Sequence, residues 1–341
     1  MKERVLVGLS GGVDSTFAAY QLKQDGYEVV GVYMKMFDNE AFHAENIRKV
    51  KLVAEYLGIE YHVYDISQEF KDKVYDPFVD AYVKGMTPNP CGHCNQFIKF
   101  GKFVEIADEL GCQYVSTGHY INTDGQFIYE AEDDSKDQTY FLFHIDPKVL
   151  KRLLFPLGNK VKDDIKEYIK SIEPLKDIAA QRESSEICFV ETDYKDVLRK
   201  YVDVDMPGDI LSSDGRVIGR HKGYMHYTIG QRRGFETILK KRLFINKIIP
   251  EKNQIVVGEK QELTQDVVKI KDLNLFFTPE GNEFHATVKL RYRTHKLPCR
   301  VVVEKTGATI YLEEPAELGV AKGQAAVFYD GKKMLGGGWI V

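Results

Sequence analysis

Hydrophobic positions along the chain fall into two textures. Through about the first 120 residues, short apolar runs alternate with stretches in which apolar residues recur every three or four positions. Val5 to Leu9 is such a run, followed by turn residues, and predicts a buried strand. Ser15 to Gln24 predicts a helix stopped by Gly26, and Val29 to Met34 a second strand. Ile47, Val50, Ala54 and Leu57 mark a helix ended by Gly58. Tyr61 to Tyr64 reads as a third strand, followed by a long helix from about Glu69. Thr87-Pro88-Asn89-Pro90 breaks the pattern, then a helix runs from about Asn95 to Leu110 and a fourth strand from Tyr114 to Thr117. This alternation predicts an α/β fold, a doubly wound and mostly parallel sheet with helices on both faces.

From about Gly208 short β-branched segments are separated by Gly, Asn and Pro. Arg216 to Gly219, Leu243 to Ile249, Gln254 to Val257, Glu283 to Tyr292, Arg300 to Glu304, Ala308 to Leu312 and Ala325 to Tyr329 are the predicted strands. They predict a small β-rich central domain and a C-terminal β-barrel. The expected division is 1–200, 201–260 and 261–341, in keeping with a length of 341 residues, too long for one ordinary core.

A 43% hydrophobic and 29% charged composition is that of a globular protein. No apolar run is long enough to cross a bilayer and the N-terminal residues lack a signal-peptide pattern, so a cytoplasmic protein with no membrane partner is expected. A net charge of -4 excludes a histone-like polycation and leaves open a nucleic-acid binder with local basic patches. In a reducing compartment the five cysteines, Cys91, Cys94, Cys112, Cys188 and Cys299, read as thiols or ligands rather than structural disulfides.

Chemistry first enters at Ser10-Gly11-Gly12-Val13-Asp14-Ser15, between the first strand and the first helix. Two glycines let the backbone approach a ligand. The serine hydroxyls and the helix N-terminus offer donors to phosphate. A plain Gly-Gly turn is the bland alternative, but six matching residues at the carboxyl end of a strand argue for a phosphate loop. It carries no Lys, so it is not a Walker A loop. It resembles the PP-loop ATP pyrophosphatases, which implies cleavage of ATP between its α and β phosphates and adenylation of a substrate oxygen.

Cys91-Gly92-His93-Cys94 is expected in a loop just before a helix, whose N-terminus would favour a thiolate. Cys188 lies in Ser184-Ser185-Glu186-Ile187-Cys188-Phe189, whereas Cys112 and Cys299 read as small buried hydrophobes. Further motifs are Cys94-Asn95 with Ile98-Lys99-Phe100, Thr117-Gly118-His119-Tyr120, Lys136-Asp137-Gln138 with Tyr140-Phe141-Leu142, and Tyr227-Thr228-Ile229-Gly230-Gln231-Arg232-Arg233-Gly234. Together and in this order, across nearly the whole chain, these motifs resemble the bacterial tRNA-uridine 2-sulfurtransferases, or tRNA 2-thiouridylases.

The resemblance implies that Gly8, Leu9, Ser10, Gly11, Gly12, Val13, Asp14 and Ser15, with Met34 and Gly118, bind ATP. It implies Cys94 as nucleophile and Cys188 as the persulfide-bearing cysteine. Asn89, Pro90 and position 91 would contact the target base. His119, Lys136, Asp137, Gln138, Arg291, Tyr292 and Gln324 would touch tRNA. Implied partners are the anticodon loop with its wobble uridine, and a cysteine desulfurase or sulfur-relay protein as donor. Mg²⁺ is the implied companion of ATP, with Asp14 as an indirect helper.

The family usually has Asp at position 91, and here Cys91 stands in its place. Cys91, Cys94 and Cys188 form a three-cysteine set of the kind that can hold a 4Fe-4S cluster with one open iron. A persulfide–disulfide cycle on Cys94 and Cys188 is the equal alternative. A zinc site using His93 is a weaker third.

Two basic stretches, Arg216 to Arg242 and Lys289 to Arg300, interleave cations with Tyr224, Tyr227, Phe235 and Tyr292, a composition suited to RNA, although such a run is often only a solvated face. His119, beside Gly118 at the sheet edge, reads as functional, with a satisfied core histidine as the bland alternative. His43, His62, His144 and His285 give no signal. Rival readings are another PP-loop enzyme adenylating a different substrate, and an RNA-binding module on a nucleotide fold.

Overall fold

The computed structural model describes residues 2–180, 187–190, 192–239 and 241–341. Ser184, Ser185 and Glu186 of the Cys188 motif, and Lys240 of the first basic stretch, lie outside the described residues. The chain forms two compact units that interleave in sequence. One comprises Met1–Val74, Cys91–Ser184 and Gly331–Leu335, and the other Tyr75–Pro90, Ser185–Asp330 and Gly336–Val341.

The first unit is built on a five-stranded sheet. Its strands are β1 (Arg4–Gly8), β2 (Glu28–Lys35), β3 (Glu60–Asp65), β4 (Tyr114–Ser116) and β5 (Leu153–Leu154), in the order β3-β2-β1-β4-β5. All pairings are parallel. Val5, Leu6 and Val7 are fully buried, as a central strand covered on both faces must be. Helix α1 (Val13–Gln24) and helix α2 (Glu40–Leu57) place Phe17, Ala18, Leu22, Val50, Val53 and Leu57 in one core with Val5 and Val7. Asn39 caps α2 by accepting from the Phe42 amide at 3.0 Å.

The expected loop at Cys91–Cys94 is not a loop. Pro90–His93 is already helical, Cys94–Lys102 continues with π-helical hydrogen bonding, and Phe103–Glu109 finishes as α-helix. Proline is well suited to a first helical position, because the amide it lacks has no partner there anyway.

In the second unit, Gly208–Ser212, Val217–His221, Phe244–Ile249 and Gln254–Gly258 make a four-stranded sheet. Six further strands, Gln265–Leu275, Gly307–Ala316, Leu297–Glu304, Glu283–Lys289, Ala325–Asp330 and Lys333–Ile340, follow one another around an antiparallel barrel. The barrel closes where Ile270 to Leu275 pair with Ile340 back to Gly336. The predicted strand 283–292 ends at Lys289, so Arg291 and Tyr292 lie in the turn that follows.

Three of the strands that the sequence pattern misses have identifiable reasons. Gln265–Leu275 carries charges through most of its exposed positions, and Gly208–Ser212 is short. Lys333–Ile340 contains Gly336-Gly337-Gly338, which reads as a turn. A Cβ on Gly336 would stand 2.1 Å from the Asn274 carbonyl oxygen, so the glycines there allow two backbones to approach closely.

Candidate nucleotide and sulfur-transfer sites

In the order β3-β2-β1-β4-β5 the winding reverses between β1 and β4. At their carboxyl ends the connections part to either side, and ligands of open α/β sheets bind in the resulting crevice. Residues 9–15 after β1 and 117–119 after β4 meet there. A Cβ on Gly118 would lie 2.9 Å from both Asp14 Cβ and the Ser15 nitrogen. Position 118 must therefore be glycine for the two segments to touch.

The loop is held open by its own hydroxyls. The Ser10 amide donates to Ser15 Oγ at 3.1 Å, the Gly12 amide to Ser10 Oγ at 3.3 Å, and Ser15 Oγ to the Gly12 carbonyl at 3.1 Å. Gly12 is the N-cap of α1 without a side-chain cap, so the end of a three-turn helix faces the crevice with unpaired amides. Leu9 is buried, Ser10 is exposed and Met34 is half-buried near the end of β2.

A lysine distant in sequence reaches the loop. Lys162 Nζ reaches Asp14 at 2.5 Å and 2.6 Å to its two carboxylate oxygens, and the Tyr120 hydroxyl donates to the same carboxylate at 2.7 Å. The Lys162 side chain is only 11% exposed. Sequence motifs miss it, yet one signal is present. Lys162 opens the helix Lys162–Ser171, where the helix dipole disfavours a cation. The signal is slight, because Asp163 and Asp164 share that first turn.

His119 is 4% exposed. Its Nδ1 shares a 2.7 Å hydrogen bond with Thr117 Oγ1, and its ring packs against Phe100 and Phe155. Burial, aided by the nearby charge of Lys99, holds its pKa well below 6.5. The ring is thus buried, with a hydrogen-bond partner at Nδ1. His43, which gives no signal in the sequence, is also buried, between the Tyr33 hydroxyl at 2.7 Å and the Phe37 carbonyl at 2.6 Å.

Within Lys136–Gln138, Asp137 is buried and accepts from Thr139 Oγ1 at 2.7 Å and the Ala131 amide at 3.2 Å. Gln138 pairs with the Tyr120 backbone. Cys94 is 5% exposed, and Cys91, three residues earlier, is half-buried. The neighbouring Asn95 donates to the Phe141 carbonyl at 3.0 Å, fastening this helix to the Tyr140-Phe141-Leu142 motif.

The second unit carries the other predicted residues. Asn89 and Pro90 are buried. The segment before them is held by the Thr87 amide donating to the Lys322 carbonyl at 2.9 Å, and by Gln324 Nε2 donating to the Thr87 and Pro88 carbonyls at 3.1 and 3.2 Å. Gln324 therefore shapes the Thr-Pro-Asn-Pro loop. Arg291 Nη2 donates to the Ile229 carbonyl at 2.7 Å, inside the Tyr227–Gly234 motif.

Cys188 is exposed, and its neighbour Phe189 is buried against Tyr75 and Phe78, with ring centroids 5.4 and 5.3 Å apart. Burial raises the Cys112 thiol pKa and pushes that of Cys299 up to about 12, as expected of inert core cysteines. Among the described residues no three His, Cys, Asp or Glu side chains are grouped to hold a metal ion.

The basic stretches are partly neutralised. Arg216 pairs with Asp214, Arg220 with Asp209, Lys241 with Glu259 and Arg300 with Glu283. Lys222, Arg232, Arg233 and Arg242 are exposed and form no ion pair among the described residues.

A parallel sheet with a Ser-Gly-Gly-Val-Asp-Ser loop at its switch point defines a nucleotide-binding domain of the PP-loop class, here accompanied by a closed β-barrel. Residues 3–192 match the family described as tRNA methyl transferase HUP domain. Residues 195–259 match a tRNA methyl transferase PRC-barrel domain and 265–340 an aminomethyltransferase beta-barrel domain. A tRNA-specific 2-thiouridylase of a Nitratiruptor species is 53% identical over 100% of both chains. That of Sulfurimonas denitrificans is 52% identical over 100% of this chain and 99% of its own, and that of Campylobacter jejuni 50% over 99% of each. The chain belongs to the tRNA-specific 2-thiouridylases, a family of tRNA sulfurtransferases. Likeness to solved structures is looser. A 4-thiouridine synthetase–RNA complex with bound ATP aligns over 55% of this chain and 45% of its own, at 19% identity and TM-score 0.37. No helix among the described residues is long and apolar enough to cross a membrane.

Proposed function

We propose that this protein uses ATP to adenylate the 2-carbonyl oxygen of a tRNA wobble uridine and replaces that oxygen with sulfur. The observation that carries the nucleotide half is the Asp14–Lys162 pair at the mouth of the Ser10–Ser15 loop. A carbonyl oxygen is a poor leaving group. Transfer of AMP to it, with pyrophosphate departing, makes a bond that sulfur can displace. Lys162 and the amides of the loop meet the charge that gathers on the departing pyrophosphate. Mg²⁺ would enter with the nucleotide as its counter-ion and supply further neutralisation.

For the sulfur half, the exposure of Cys188 supports the persulfide route, because it suits loading by a protein donor, a cysteine desulfurase or a relay protein, in the cytoplasm. The terminal sulfur of a Cys188 persulfide attacks C2 and AMP leaves. The Cys94 thiolate then attacks the Cys188 sulfur, giving a Cys94–Cys188 disulfide and releasing 2-thiouridine. A dithiol reductant must restore the pair. Lys222, Arg232, Arg233 and Arg242 are exposed cations of the first basic stretch that would meet RNA phosphates. Asn89, Pro90, Lys136, Arg291 and Tyr292 are assigned to tRNA on family resemblance.

The test is thiolation of unmodified tRNA by metal-free protein with a persulfide donor, read by nucleoside mass spectrometry. Loss in Cys94→Ser and Cys188→Ser, with Cys91→Ser active, is the expected result. Thiolation that appears only with bound iron and sulfide, and vanishes in Cys91→Ser, would overturn the persulfide assignment.

A further inference from the structure

The geometry points to Tyr120 as a positioning residue that ties the tRNA-contacting turn Lys136–Gln138 to the phosphate loop, so that RNA occupancy sets the loop's readiness for ATP. The inference rests on the proposed function and assigns a role to a residue that function leaves unused.

Tyr120 is 3% exposed and engages partners at both ends. Its hydroxyl donates to Asp14 at 2.7 Å, the carboxylate that also grips Lys162. At the backbone, the Gln138 amide donates to the Tyr120 carbonyl at 3.2 Å, and the Tyr120 amide donates to Gln138 Oε1 at 2.9 Å. Gln138 thus holds Tyr120 at two points, and a movement of one carries the other.

The turn has little freedom to absorb a displacement by itself. Asp137 is anchored on Thr139 and Ala131, and Lys136 donates its amide to the Asp133 carbonyl at 3.0 Å. A second link runs beside the hydroxyl, since Gly118 is packed so tightly on Asp14 and Ser15 that a Cβ there would approach within 2.9 Å of both. Segment 118–120 therefore presses on the first turn of α1 by contact and by hydrogen bond, while its far side is gripped by Gln138. Packed elements of this kind transmit a shift as a change between discrete arrangements.

The consequence is economy of ATP. Without RNA, Asp14 and Lys162 satisfy one another. When RNA engages the 136–138 turn, Tyr120 reorients Asp14, and Lys162 turns to the phosphates. Removing the hydroxyl cuts this link and leaves the RNA-contacting turn and the loop residues unchanged in composition.

The experiment measures pyrophosphate release by the full chain at saturating ATP, with and without saturating unmodified tRNA. The readout is the ratio of the two rates in wild type, Tyr120→Phe, Gln138→Ala and the double variant. The expected result is a ratio lowered about tenfold in each single variant, within the usual range of coupling between sites, and no lower in the double. The ATP affinity of Tyr120→Phe without RNA is expected to stay near that of wild type. A Tyr120→Phe ratio equal to wild type would overturn the inference. So would an equal loss with and without tRNA, which would make Tyr120 a mere prop of the loop. Wild-type protein that thiolates tRNA yet fails this ratio test refutes the coupling alone. Wild-type protein that neither thiolates nor responds to tRNA refutes the proposed function as well.

Discussion

Replacing Lys162 by Met keeps most of the aliphatic stem and removes the ammonium that lies against Asp14. Breaking a fully buried ion pair from one side costs about 3–5 kcal/mol, because the remaining charge stays uncompensated. Here the Asp14 side chain is 33% exposed and retains the Tyr120 hydroxyl, so water and one hydrogen bond recover much of that. A local loss of about 1–2 kcal/mol is expected. Hydrogen exchange of the amides in Val13–Gln24 reports on this site, and a loss of about 1–2 kcal/mol should speed it about 5–30-fold. The catalytic effect is separable from this. If Lys162 faces the departing pyrophosphate, its loss should slow single-turnover AMP formation about 10²–10³-fold, the scale for one preorganised charge-stabilising group. Asp14→Asn combined with Lys162→Met should restore normal exchange, since no lone charge remains, without restoring the rate. Faster exchange with an unchanged rate of AMP formation would refute the catalytic assignment and leave Lys162 a structural partner of Asp14.

Brief alkylation at mildly alkaline pH should modify Cys188 first and Cys112 and Cys299 last, as peptide mass spectrometry would show, because Cys188 is exposed and burial raises the other two thiol pKa values. His119 has a folded-state pKa depressed below 6.5, so the unfolded chain takes up its proton first as pH falls. Its contribution is constant above pH 6.5 and is lost below it, with a limiting slope of about 1.4 kcal/mol per pH unit. Urea unfolding of the first unit between neutral pH and about pH 5 should show that slope, and His119→Gln should flatten it. Charge removal in Arg232→Ala with Arg233→Ala should weaken tRNA binding and reduce the slope of log affinity against log salt by roughly 1.5. An unchanged salt slope would remove these two cations from the interface.

The nucleotide unit is largely legible because its signals are local. Apolar runs, helix stops at Gly26 and Gly58, and the loop between strand and helix all fall within a few residues of one another. The cysteine helix is misread because Pro90 looks like a breaker, whereas in a first turn it is a starter. The charged strand 265–275 and the glycine-rich strand 333–340 go unseen because each is stabilised by a partner strand distant in sequence. Lys162 escapes for the same reason, as does the role of Tyr120, which the sequence shows only as a member of the Thr117–Tyr120 motif. Their importance lies in meeting Asp14, 148 and 106 residues away, and no spacing within the chain announces that.

The interleaving of the two compact units bears on how such a chain can be inherited. Residues 75–90 belong with the second unit although first-unit sequence flanks them on both sides, and residues 331–335 return to the first. No single recombination breakpoint separates one unit whole from the other. A crossover near residue 200 would deliver the Ser10–Ser15 loop without residues 331–335 and strand the Thr87–Pro90 loop away from Gln324. Cutting the chain once, at any position, therefore leaves at least one of the two units incomplete.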